Sequence, residues 1–99
     1  MALETWQLKR GAEILAELLL TEVDQPWLFC SFHPAAAYSS VAAFFANDAA
    51  LLESRDHDAQ EAAMEAIDNL GLTLINTSSG ESFSEFWLHI QEGKAWFRC

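Results

Sequence analysis

Four side chains carry the donor atoms that soft-metal binding or nucleophilic catalysis would use: Cys30, His33, His57 and His89. A structural zinc site wants four convergent ligands in closely spaced pairs. Cys30 and His33 are three residues apart in a segment that reads as a strand, so they point to opposite faces unless the strand ends between them. The expectation is no metal, and no residue pattern implies a cofactor. A Cys–His pair, Cys30 with His33 or with His89, is the covalent chemistry these residue types would allow. A lone cysteine in a Phe-rich strand is more usually a small core residue. No Gly-bounded elbow surrounds a serine, so the hydrolase signature is missing. Gly11, Gly71, Gly80 and Gly93 each fall at a turn or a helix end, and no phosphate-cradling loop can be assembled from them. The reading leans away from an enzyme and assigns no catalytic residue.

One constellation stands above this background. Phe83 to Gln91 and Lys94 to Cys99 form the clearest hairpin in the chain, and the two-residue loop Glu92-Gly93 sets its register. That register pairs Ile90 with Ala95, His89 with Trp96, Leu88 with Phe97 and Trp87 with Arg98. One face then carries Phe86, Leu88, Ile90, Ala95, Phe97 and Cys99, which suits a core. The other carries Trp87, His89, Gln91, Lys94, Trp96 and Arg98. Aromatic residues with arginine are over-represented where binding energy concentrates, so Trp87, His89, Trp96 and Arg98 form the expected partner-binding face. The competing reading is structural: Trp96 stacking on Arg98 or His89 across the sheet, or chain from elsewhere covering the face.

Charge narrows the partners. Five basic residues stand against fifteen acidic ones, a formal net charge of −10. That sign repels nucleic-acid backbones and anionic membrane surfaces, while a basic partner or cationic ligand remains allowed. Glu61, Glu65 and Asp68 share an exposed helical stripe, which is either a solvated face or a docking stripe for a basic partner. Two cysteines make no disulfide framework, Met1 to Arg10 lack the pattern of a secretory leader, and no run approaches a membrane span. The expected location is cytoplasmic.

The elements that must position these residues follow from patterning. The chain has 99 residues, 52% hydrophobic and 12% aromatic, which suits one domain with its own core. Trp6 and Leu8 read as a strand that turns at Gly11. Ala12 to Thr21 has a helical composition but the length of a second hairpin arm. Ile14, Ala16, Leu18 and Leu20 make a wholly apolar alternate face, so a strand is expected. Asp24-Gln25-Pro26 is a turn, and Trp27 to Phe32 a dense aromatic strand apolar on both faces, hence central. Pro34 suits a helix N-terminus. A helix is expected from Ala35 to Glu53, with Tyr38, Val41, Ala42, Phe45, Ala49 and Leu52 on its buried stripe and Asn47-Asp48 as a kink or an early end. Asp58 with Glu61 resembles a capping box for a second helix. Its inner stripe is Ala59, Ala63, Ala66, Ile67 and Leu70, and Gly71 follows its end. Leu72 to Asn76 is a short strand and Thr77 to Gly80 a turn.

The order is β-β-β-α-α-β-β-β, an α+β fold in which both helices pack on one face of an antiparallel sheet. The pieces Trp6-x-Leu8, Asp24-x-Pro26-Trp27, Phe32-x-Pro34, Leu88-His89-Ile90 and Ala95-Trp96-Phe97-Arg98 resemble those of a group of small uncharacterised bacterial proteins of about this length. The resemblance spans most of the chain, supports a strand from Ile14 to Leu20, and implies no activity.

Two function classes follow. The first is a non-catalytic interaction module that self-associates, as a homodimer, or docks on a protein partner through the Trp87/Trp96 face. The second is a small-ligand binder or modest enzyme, with a pocket between sheet and helices near Tyr38, His33 and His89.

Overall fold

Four hairpin steps, each set by a short connection, join consecutive strands. In the structure, a computed structural model that describes residues 4–99, β1 (Thr5–Arg10) turns at Gly11 into β2 (Glu13–Asp24), and β2 turns at Gln25-Pro26 into β3 (Trp27–Pro34). The start of the segment read as lacking a leader, residues 1–3, lies outside the described residues. Two helices follow, α1 (Ala42–Leu51) and α2 (His57–Asp68), then β4 (Leu72–Asn76), β5 (Ser82–Phe83), β6 (Trp87–Gln91) and β7 (Lys94–Arg98). The seven strands form one antiparallel sheet in the order β5-β4-β1-β2-β3-β7-β6. The chain is an α+β protein, as its patterning predicts.

The sheet is strongly curled, and chain length forces it to be. β5 and β6 occupy opposite edges, six inter-strand steps apart, which is roughly 29 Å across a flat sheet. Only residues 84–86 separate them, and so short a connection reaches about 14 Å at most. The edges must therefore approach each other. The same curl brings Trp6 of β1 against Phe97 of β7, with ring centroids 4.9 Å apart, although two strands lie between theirs. Two bulges help to bend β2. The register slips opposite Leu8/Lys9, leaving Leu15 as the extra residue, and again between Leu20 and Glu22, leaving Thr21 extra; bulges sharpen strand bend and twist.

The concave face holds the core. Trp6, Leu8, Leu18, Phe32, Leu74, Leu88 and Phe97 line it, and Val41, Phe45 and Ile67 enter it from the helical segment. The indole N–H of Trp6 is not left bare: Glu4 Oε1 accepts it at 2.9 Å and also accepts Asn76 Nδ2 at 2.9 Å, tying β1 to β4.

Several expectations need correction. The bulge at Leu15 breaks the simple alternation of β2: Leu15, Ala16 and Leu18 are buried, whereas Ile14 is exposed. The helix expected over Ala35 to Glu53 is two pieces, a 3-10 turn at Ala36–Ser40 and then α1. The hydroxyls of Ser39 and Ser40 donate back to the carbonyls of Ala36 and Ala37, competing with a continuous helix, and Val41 at the break is fully buried. Pro34 is the last residue of β3, paired with Ala16, rather than a helix start. The cap of α2 is Asp56, whose carboxylate accepts Ala59 N–H at 3.0 Å, so the helix starts earlier than an Asp58 cap would place it. The strand expected over Phe83 to Gln91 is split into β5 and β6, because its two ends pair at opposite edges of the sheet. Cys99, assigned to the core face, is exposed just beyond β7.

Candidate functional site

The Glu92-Gly93 turn has both residues at positive φ, +51° and +75°, the backbone of a type I′ hairpin whose twist matches that of its strands. The register is the one its sequence predicts: Ile90 faces Ala95, His89 faces Trp96, Leu88 faces Phe97 and Trp87 faces Arg98. Leu88, Ile90, Ala95 and Phe97 are buried on the concave face. Trp87, His89, Trp96 and Arg98 therefore lie together on the convex face.

Pairing of β3 with β7 extends this face. Phe29 sits opposite Trp96, giving a cross-strand row Phe29–Trp96–His89. One step along, Trp27, Arg98 and Trp87 make a second row. The Arg98 guanidinium lies 5.0 Å from the Trp87 ring and 6.0 Å from the Trp27 ring, within the range of cation–π attraction. His89 links the rows, with its ring centroid 6.0 Å from Trp27 and 5.6 Å from Trp96. The indoles thus stack partly on their own neighbours, yet Trp87 remains 50% exposed. Beside Trp96 and Phe29 a shallow groove of about 550 Å³ runs past Lys94 to the bulge at Thr21. Thr21 Oγ1 donates to the Phe29 carbonyl there.

The edge strand β6 also meets α1. Asp48, on that helix, is 4% exposed and is the buried charged residue of the described chain. Its Oδ2 accepts the Nδ1–H of His89 at 2.6 Å. The two line a cleft of about 270 Å³ with Trp27, Leu51, Leu52, Gln60, Met64 and Trp87. Gln60 is fixed as well: its amide nitrogen donates to the carbonyls of Leu51 and Ser54 at 2.7 and 2.8 Å, closing the end of α1.

Three sites considered from sequence are not assembled. Cys30 is buried on the concave face, and burial, with a smaller push from the Glu4 carboxylate, raises its thiol to about 12. His33 lies exposed on the other face, 3.1 Å from Ser31 Oγ, so the two form no pair. Among the described residues no three His, Cys, Asp or Glu side chains converge in a metal-ligand cluster. Nor do Tyr38, His33 and His89 share a pocket. Tyr38 lines a separate groove with Phe32, Ile90 and four alanines of α1, and its ring meets Phe32 and Phe45. Glu61, Glu65 and Asp68 are all exposed along α2. No described helix is long and apolar enough to cross a membrane.

Sequence reasoning missed Asp48, Trp27 and Gln60 as site residues. For Asp48 a signal exists: it falls three residues after Phe45 and seven after Val41, so an acid occupies the buried stripe of the helix. For Trp27 none exists, because its place beside Arg98 depends on β3 pairing with β7 across the whole helical segment. The chain matches no protein-family model, no curated protein and no solved structure.

Proposed function

We propose that this protein is a non-catalytic interaction module that self-associates as a homodimer, or docks on a protein partner, through the convex face of Trp87, His89, Trp96 and Arg98, joined by Trp27. The observation that carries this reading is the half-exposed Trp87 held by Arg98 at 5.0 Å on a stacked platform. Apolar ring surface in water is unfavourable by about 25 cal/mol per Å², and a pre-stacked aromatic face loses little side-chain freedom on binding. A two-fold contact presents the same strip from both sides, so one platform serves both copies. The exposed Glu61, Glu65 and Asp68 on α2, within a chain of net charge −10, favour a basic partner over an acidic one. We place the protein in the cytoplasm on its free thiols and acidic composition.

Light scattering on the wild type and on a Trp87→Glu/Trp96→Glu variant tests the reading. A dimeric wild type and a folded, monomeric variant support the homodimer. A monomeric wild type with solvent-quenchable indoles removes the homodimer and leaves the protein partner. A variant that fails to fold makes these indoles core residues and ends the reading.

A second reading, a small-ligand site, is favoured by one observation: buried Asp48 and half-buried His89 pair at the wall of an aromatic-lined cleft. That cleft lies on the His89 side of the sheet edge, away from Tyr38 and His33.

A further inference from the structure

We propose that the cleft between α1, α2 and the Trp27/Trp87 indoles binds a small free organic cation, an alkylammonium or alkylguanidinium. This rests on the small-ligand reading of that cleft and names its ligand class. Asp48, Gln60 and His89 line the cleft, and internal bonds use the Gln60 amide nitrogen and the His89 Nδ1–H. The Gln60 amide nitrogen is committed to two carbonyls, which leaves Oε1, an acceptor. His89 gives its Nδ1–H to Asp48, which leaves Nε2 as the ring nitrogen open to a ligand. Asp48 uses Oδ2 for that bond and keeps Oδ1, an acceptor with a share of the negative charge. Among the described residues none of these three remaining atoms has a hydrogen-bond partner, and none is sealed from solvent.

The walls agree with the polar groups. Trp27 and Trp87 present indole rings, the best π-partners for a cation. The Arg98 guanidinium stacks on both rings, although Arg98 is not among the residues lining the cleft. A ligand with donors and positive charge satisfies acceptors, carboxylate and ring faces together. An anion would face the Asp48 carboxylate, within a chain of net charge −10. The volume of about 270 Å³ suits a head group with a short alkyl tail rather than a folded partner's surface.

The test is a titration of the full chain, followed by indole N–H and His89 ring resonances, with four probes. These are n-butylammonium, n-butylguanidinium, the neutral isostere n-pentanol and the peptide acetyl-Gly-Lys-Gly-amide. Saturable shifts at Trp27, Trp87 and His89 are expected with the two free cations, at least tenfold tighter than with pentanol. Asp48→Asn, which keeps an oxygen for His89, is expected to weaken cation binding at least tenfold. Trp87→Ala, at a half-exposed position where folding is spared, is expected to do the same. Equal binding of pentanol and the cations overturns the cation assignment and leaves the cleft as an apolar ligand site. Shifts with no probe overturn both the assignment and the ligand reading. Peptide binding tenfold tighter than n-butylammonium overturns the free-amine assignment in favour of a lysine-bearing partner. Unchanged cation affinity in folded Asp48→Asn or Trp87→Ala overturns the proposed geometry.

Discussion

Asp48 and His89 lie 41 residues apart in the chain and meet at 2.6 Å, joining α1 to the edge strand β6. A carboxylate this buried persists because it has a donor, and the imidazole gains a fixed orientation between Trp27 and Trp96. Asp48→Ala should cost ~1–3 kcal/mol in urea unfolding, since it strands the His89 N–H against the helix. Asp48→Asn, which retains an acceptor, should cost less than half as much. The double variant Asp48→Ala/His89→Ala should be less destabilised than the sum of its singles, by more than ~0.5 kcal/mol. Simple additivity would mean that the pair does not hold the helix to the sheet.

Leu88 and Phe97 face each other on the concave side, both buried. Leu88→Ala and Phe97→Ala should each cost ~2–5 kcal/mol. Trp87→Ala, one residue away on the convex face, should change stability by under ~1 kcal/mol. Denaturation midpoints reversing that ranking would place the hairpin one residue out of register, because such a slip exchanges its faces.

Burial holds the Cys30 thiol near 12 against an ordinary 9.0. In the unfolded chain this proton leaves around pH 9, while the folded chain retains it. Between those values the unfolded state binds fewer protons, so stability falls as pH rises, by up to about 1.4 kcal/mol per pH unit. Urea midpoints at about pH 8 and about pH 10.5 should show a loss of roughly 2 kcal/mol in the wild type. Tyr38, also raised by burial, adds in the same direction. Cys30→Ala should lose measurably less stability over the same interval, and an identical loss would sink the assignment to Cys30.

Glu92 occupies a left-handed backbone position at φ +51°, where a side chain without a short local hydrogen bond is disfavoured. Asn-Gly is the preferred pair for this turn. Glu92→Asn should therefore raise stability by ~0.5–1 kcal/mol without altering the hairpin register. A raised thermal midpoint together with an unchanged near-ultraviolet tryptophan spectrum is the expected outcome.

Local physics determined much of this protein from the sequence. The Glu92-Gly93 loop dictates its turn type, the turn dictates the register, and the register sorts Leu88 and Phe97 from Trp87 and Trp96. Alternating apolar residues and a short span made Ile14 to Leu20 a strand despite a helical composition. The acidic stripe Glu61, Glu65 and Asp68 follows from helical spacing alone. Tertiary structure decided the rest. The curl of the sheet is imposed by three residues joining opposite edges, a constraint invisible until the strand order is known. Only that order sets Trp27 beside Arg98 and brings Asp48 to His89. The bulge at Leu15 buries two successive residues and turns Ile14 outward, a break that the alternating pattern of β2 does not signal. Neighbours within a turn or a helix are fixed by bonded geometry. Partners 41 or more residues apart are chosen by how the whole sheet closes over its core.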